Sequence, residues 1–207
     1  LLAAMILFVA GARVGHFVLV GLCLAPVLVW KLGGGYMAER WSSLFLNPGE
    51  APTGSAFQSY QSLIAMGSGG MTGVGFGDGQ QKFGFLPEAH NDFIFAMIGE
   101  EWGLAGVLLM LIAYVALILV GFRIARRAKD LFGEFVAVGV TSLIALQAFL
   151  HVGVGVGALP PTGLALPLVY YGSSNMLVML AAIGILLAVA REAPEGRSGR
   201  GYLRKAT

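Results

Sequence analysis

The stretch FIFAMIGEEWGLAGVLLMLIAYVALILVGF, residues 93–122, carries only two charges, the adjacent pair Glu100 and Glu101. About 20 apolar residues, rising ~1.5 Å each, carry a helix across the hydrocarbon core of a bilayer. Residues 93–122 exceed that length, which makes the bilayer, not water, the solvent to consider. The rest of the chain agrees. Of 207 residues, 57% are hydrophobic and only 12% charged, 31 are Gly, and the mean hydropathy is +0.80. A soluble domain carries roughly 25% charged residues because its surface faces water. Half that share excludes a soluble globule, and the low polarity excludes a disordered chain. The single Cys23 sits in an apolar run and allows no intramolecular disulfide framework. A net charge of +2 gives no basis for a nucleic-acid partner.

Working outward, residues 134–159 form another apolar stretch, relieved by Gln147 and His151. Residues 164–190 form a third, with the polar knot Tyr170-Tyr171-Gly172-Ser173-Ser174-Asn175. Upstream, residues 14–32 are apolar apart from His16 near the start and Pro26 inside. Residues 1–12 are apolar but too short to span, and read as the tail of a helix that starts further upstream. Residues 33–91 hold no run long enough to cross, and Gly, Ser, Gln and Pro dominate there. The expectation is an all-α, polytopic membrane helix bundle: four nearly complete transmembrane helices plus one partial. It is one membrane domain over residues 1–207, the carboxy-terminal portion of a larger protein, with a long loop at 33–91 and a tail at 191–207. Within the loop, Phe57–Met66 is amphipathic and too short to span, which predicts a short helix at the membrane surface.

Ten of the thirteen basic residues fall on one side of a chain that crosses alternately. They are Arg13, then Arg123, Arg126, Arg127 and Lys129, then Arg191, Arg197, Arg200, Arg204 and Lys205. Lys31, Arg40 and Lys82 fall on the other side. The positive-inside rule assigns the basic side to the cytoplasm, so the 33–91 loop faces out and the carboxy terminus faces in.

Two constellations border the first stretch. Residues 67–79, from Gly67-Ser68-Gly69 to Gly77-Asp78-Gly79, are glycine-rich but match neither a dinucleotide nor a Walker pattern. They read as an irregular loop needing positive φ, although backbone N–H groups in such turns can hold phosphate. Leu86-Pro87-Glu88-Ala89-His90-Asn91-Asp92 sets three titratable groups immediately before the apolar helix. Asn91 or Asp92 can cap that helix. Alternatively, Asp92 is a general base whose pKa rises through partial desolvation at the membrane boundary, with Glu88 and His90 as orienting groups. Further along, Ala96, Gly99, Gly103 and Gly106 form a small-residue stripe suited to close helix packing. Carboxylates as deep as Glu100 and Glu101 are costly in lipid, so at least one is expected to face an internal polar cavity. His151, Gln147, Ser173 and Ser174 are intramembrane polar groups for which interhelical hydrogen bonds are the default.

Phe45-Leu46-Asn47-Pro48, Gln58-x-x-Gln61-Ser62-Leu63-Ile64-Ala65-Met66-Gly67-Ser68-Gly69-Gly70 and the run from Gln81 to Ala96 into Gly99-Glu100-Glu101-x-Gly103 together resemble one known family. Pro161-Thr162-Gly163 through Pro167, and Tyr171-Gly172-Ser173-Ser174, continue the match. The family is SEDS (shape, elongation, division, sporulation), bacterial cell-wall glycosyltransferases. The wording Pro87-Glu88-Ala89-His90 is nearer the division branch than the elongation branch, which tends to carry Arg in place of Ala89. Phe57, Asn91 and Tyr170 depart from the family's usual Tyr, Thr and Ser, and none of these removes the key carboxylate.

The resemblance implies a ten-helix protein of the bacterial cytoplasmic membrane that polymerises lipid II, an undecaprenyl diphosphate-linked substrate. Asp92 aligns with the family's catalytic Asp. Lys82, Glu88, His90 and Ser68 are the substrate-binding candidates, and Glu100, Glu101, Ser173 and Ser174 line the polar cavity. Cationic help for the departing diphosphate comes from a divalent metal, from Lys82, or from residues further upstream; no other cofactor is implied. The implied partners are a class B penicillin-binding transpeptidase and other division membrane proteins. A lipid II flippase and a non-catalytic scaffold for the transpeptidase are the other function classes that fit a polar-lined helix bundle. The topology is checked with single cysteines at positions 78 and 129, Cys23 being replaced by Ser. An impermeant thiol reagent applied from outside is expected to label position 78 and spare position 129. The reverse pattern would invert the orientation.

Overall fold

The computed structural model describes residues 2–32, 55–80 and 93–192. Among these there is no strand, and the helices are α1 (Leu2–Val9), α2 (Val14–Leu32), α3 (Ser55–Gly69), α4 (Ile94–Arg127), α5 (Leu131–Gly155) and α6 (Ser173–Glu192). Three of them, α4, α5 and α6, are long and apolar enough to cross a membrane, and α2 contributes a shorter apolar stretch at Val14–Pro26. The architecture is an all-α membrane helix bundle, with α1 as the partial helix.

The helix ends follow local chemistry. Helix α4 runs past Phe122 to Arg127, where Arg126 and Arg127 in the last turn suit the negative end of the helix dipole. Helix α5 starts three residues before Glu134 because Asp130 caps it, its carboxylate accepting from the Gly133 N–H at 2.8 Å. The expected helix over 164–190 is shorter than its apolar run: α6 begins at Ser173 and residues 156–172 are non-helical.

That irregular segment is folded into the bundle, as backbone at membrane depth must be if its polar groups are to find partners. Leu166 is fully buried among Tyr114, Ile144, Ala148 and Met179. Those of its neighbours on α4, α5 and α6 lie about 20 Å of helix from the basic ends of their helices. Two side chains tether the segment. The Tyr114 hydroxyl donates to the Pro167 carbonyl, and His151 Nδ1 donates to the Leu164 carbonyl at 2.7 Å. The expected interhelical bond of His151 therefore goes to the chain just beyond its own helix. Leu168 takes a left-handed backbone angle, φ 63°, unusual for a side-chain-bearing residue.

Tight packing elsewhere rests on small residues. Helices α4 and α5 meet where Gly121 faces Thr141; a Cβ on Gly121 would lie 2.3 Å from Thr141 Oγ1. Helix α1 meets α5 at Gly139, against Ile6. Over residues 14–26, helix α2 is largely exposed.

Tyr114→Phe keeps the ring and leaves the buried Pro167 carbonyl without its donor, a loss of about 1–3 kcal/mol. The detergent-solubilised variant is expected to melt several degrees below wild type by intrinsic fluorescence. An unchanged melting temperature would mean that this tether does not hold the segment.

Candidate functional site

The site is built around a break in α4. Gly103 adopts φ 63°, ψ −162°, which no right-handed helix accommodates. In an unbroken helix the N–H groups of Leu104 and Ala105 would donate to the carbonyls of Glu100 and Glu101. The break orphans all four groups, and the glycine-rich loop pairs with each. Val74 N–H donates to the Glu100 carbonyl at 3.0 Å and Gly75 N–H to the Glu101 carbonyl at 3.2 Å. Leu104 N–H donates to the Gly70 carbonyl at 2.9 Å and Ala105 N–H to the Met71 carbonyl at 3.2 Å.

Glycine is required on both sides of this joint. Gly73 has φ 82°, and a Cβ there would lie 2.1 Å from the Glu101 carbonyl oxygen. A Cβ on Gly103 would lie 2.3 Å from the Gly73 nitrogen. The glycine loop is thus irregular with positive φ, as its composition predicts. The small-residue stripe serves a different purpose from helix–helix packing: at Gly103 it interrupts the helix and admits a loop. Gly99 still packs in the ordinary way, against Met66 of α3.

Beyond the joint the loop folds over the acidic pair. The Gln80 N–H donates to Glu100 Oε1 at 2.8 Å. Gly79 is buried, and a Cβ on it would lie 3.0 Å from Glu100 Oε2 and 3.2 Å from Glu101 Oε1. Glu100 is only 3% exposed. Glu101 is half-buried and borders an open cavity of about 490 Å³, together with Thr72, Phe76, Trp102 and Leu109. Phe76 and Trp102 meet there edge to face, with ring centroids 6.1 Å apart.

Helix α3 completes the support. It is the short helix expected around Phe57–Met66, and its packing partners are α4 and α5. Ser62, wholly buried, donates to the Gly155 carbonyl at 2.8 Å. Ala65 joins Phe93, Ala96 and Val154 in one buried cluster. Phe93 is also the residue flanking the first turn of α4, and its own side chain makes no capping hydrogen bond. Asn91 and Asp92, the residues expected to cap this helix, lie outside the described residues.

Of the residues singled out in the sequence, Lys82, Glu88, His90 and Asp92 lie outside the described residues. Ser68 is exposed at the end of α3, with its hydroxyl donating back to the Ala65 carbonyl at 2.8 Å, a local helix bond. Ser173 and Ser174 are exposed in the first turn of α6 and do not border the cavity beside Glu101, because the chain enters α6 at that turn. Glu100 and Glu101 are brought together with the glycine loop. The residues that sequence reasoning missed are Thr72, Phe76 and Trp102, whose grouping depends on the break at Gly103. Gly103 itself gave no distinguishing signal, since a glycine there suits close helix packing equally well. Among the described residues no group of three His, Cys, Asp or Glu side chains could hold a metal ion.

The chain has relatives among known proteins. The family model FtsW/RodA/SpoVE, described as a cell cycle protein, matches residues 1–195. Stage V sporulation protein E of Bacillus subtilis is 48% identical over 186 residues, which is 89% of this chain and 50% of that protein. The probable peptidoglycan glycosyltransferase FtsW of Geobacter metallireducens is 44% identical over 188 residues, 91% of this chain and 50% of that one. Among solved structures, a chain of a peptidoglycan synthase complex that coordinates polymerization and crosslinking has a TM-score of 0.72 at 31% identity. It covers 94% of this chain and 54% of its own. The rod-shape-determining protein RodA of Thermus thermophilus, solved as an aspartate-to-alanine mutant, gives 0.51 at 32% identity, covering 65% and 40%. The chain spans about half the length of the curated relatives it matches.

Comparing Gly73→Ala with Gly77→Ala tests the joint. Both residues have positive φ, but a Cβ on Gly77 meets nothing within 4 Å. Gly77→Ala is expected to cost only backbone strain, about 1 kcal/mol. Gly73→Ala is expected to cost clearly more, seen as a much lower melting temperature in detergent. Equal losses would mean that loop and helix are not joined at Gly73.

Proposed function

The chain belongs to the FtsW/RodA/SpoVE family of cell cycle proteins, and on that premise we propose that it carries the catalytic carboxylate of a peptidoglycan glycosyltransferase. The substrate is lipid II, and the product is a lengthening glycan strand made during bacterial cell division. Asp92 is the general base. It takes the proton from the acceptor sugar's hydroxyl as that oxygen attacks the donor's anomeric carbon, and the bond from that carbon to the diphosphate breaks. The linkage inverts from α to β in a single displacement, so no enzyme nucleophile is needed. The departing diphosphate requires cationic help, for which Lys82 is the candidate in this chain.

One observation carries the reading beyond family membership. Phe93, bonded to Asp92 in sequence, is buried in the cluster with Ala65, Ala96 and Val154. A base must be held within about 3 Å of the proton it removes, and a neighbour locked in a packed cluster supplies such a fixed point. Glu88 and His90 serve as orienting groups. The basic-residue bias supports placing this end of α4 at the outer face of the cytoplasmic membrane, with the carboxy terminus in the cytoplasm. A class B penicillin-binding transpeptidase is the proposed partner, by analogy with the synthase complex that this chain resembles.

Asp92→Asn in the complete protein keeps the side chain's size and removes the base. Glycan polymerisation from purified lipid II in detergent is expected to fall by about 10²–10⁴-fold, with insertion and melting unchanged. Near-normal glycan strands from the variant would refute the catalytic role. Such strands are what a flippase reading predicts, because detergent removes any need for translocation.

A further inference from the structure

Glu100 holds the glycine-rich loop twice. Its backbone carbonyl accepts from the Val74 N–H at 3.0 Å, and its side chain accepts from the Gln80 N–H at 2.8 Å. The chain from Val74 to Gln80 thus leaves α4 and returns to the residue it left. A turn brings it back, the Asp78 N–H donating to the Gly75 carbonyl at 3.2 Å, and Gly79 then lies buried against both carboxylates. The four backbone bonds of the joint close the helix break without this side chain. A carboxyl at such depth is costly, and what it adds to the joint is the return: it fixes where Gln80 stands.

Gln80 is the last described residue before the segment that carries the proposed chemistry. Lys82 follows it by two residues, so the covalent chain alone keeps its Cα within about 7 Å of that of Gln80. At the other end of the segment Asp92 directly precedes Phe93, which is buried with Ala65, Ala96 and Val154. Phe93 and Glu100 both precede the break at Gly103 and stand about 10 Å apart along the helix axis. In an inverting displacement the base and the group serving the leaving oxygen work from opposite faces of the sugar. In glycoside hydrolysis that separation is about 6.5–9.5 Å, a span that two anchors on one half-helix can set. We propose that Glu100 is a positioning residue: by holding Gln80 it sets where Lys82 meets the departing diphosphate, as Phe93 does for Asp92. This rests on the catalytic reading given above for Lys82 and Asp92, and adds to it a residue that touches no substrate.

The test is a double-mutant cycle in the complete protein, read as kcat for glycan polymerisation from purified lipid II in detergent. Glu100→Asp keeps the charge but withdraws the carboxylate by about 1.5 Å, away from Gln80. It is expected to lower kcat by up to about 10²-fold, the cost of misplacing a reacting group by about 1 Å. Glu100→Gln keeps both reach and acceptor and is expected to restore most of the rate. Lys82→Met removes the charge being positioned, so in that background Glu100→Asp is expected to cost no more than about twofold. Exchange of the Gln80 amide is expected to stay slow in Glu100→Gln and to become fast in Glu100→Asp. If Glu100→Asp is too unstable to purify, Gly79→Ala takes its place in the cycle. The φ of Gly79 is not positive, and its new Cβ, 3.0 Å from Glu100 Oε2, forces a shift of a few tenths of an ångström between loop and carboxylate. Full activity of Glu100→Asp, or Glu100→Gln as slow as Glu100→Asp, would overturn the proposal. So would the same loss from Glu100→Asp with and without Lys82→Met, which would leave the role of Lys82 standing and detach Glu100 from it. Near-normal kcat in Lys82→Met alone would overturn it by removing Lys82 from the reaction, a failure of the catalytic reading recognised with Glu100 intact.

Discussion

Everything at the glycine-rich end of this bundle depends on four backbone groups that a helix cannot satisfy for itself. Where α4 turns aside at Gly103, the carbonyls of Glu100 and Glu101 and the N–H groups of Leu104 and Ala105 lose one another. Left unpaired in a medium without water, each would cost several kcal/mol. The loop at residues 70–75 pairs with all four. Helix break and glycine loop are therefore one structural unit, and neither is tolerable without the other. Gly73 and Gly103 follow from that geometry, because the two backbones approach too closely for a Cβ on either.

The same joint fixes what surrounds the acidic pair. It holds the loop's far end over the acidic pair, where Glu100 receives the Gln80 N–H. Helix α3, which leads into the loop, is packed against α4 at Ala65 and tied to the end of α5 by Ser62. Phe93 shares that packing, so the residues flanking the segment from Gln81 to Asp92 on both sides rest on the first half of α4. The second irregular segment, residues 156–172, is anchored to the deeper half of the same helix by Tyr114. One end of the bundle thus concentrates irregular backbone and polar side chains inside protein, while the other end carries the arginines.

Much of this could be read from residues alone. The apolar runs gave the helices because a bilayer imposes a minimum length, and the glycines at 70–77 announced positive φ. The burial of Glu100 was legible for the same reason, since a carboxylate at that depth must find a partner. The break at Gly103 was not legible. A glycine four residues after Gly99 satisfies the small-residue packing pattern just as well, and only the orphaned carbonyls distinguish the two. The short start of α6 escaped notice because residues 164–172 are as apolar as a helix; Leu166 is buried by packing, and two side-chain tethers replace helical bonds. Recognition of the family came from Gln58 to Glu101, the stretch that builds the joint, which is why the functional reading and the structural one converge on the same residues.

Amide hydrogen exchange resolved at Val74, Gly75, Leu104 and Ala105 measures the joint directly, with the protein in detergent micelles. These four N–H groups are expected to exchange as slowly as those in the middle of α4 beyond the break. Exchange at the rate of an open loop, with the body of α4 still protected, would contradict the account: the helix would then be broken without the loop to close it.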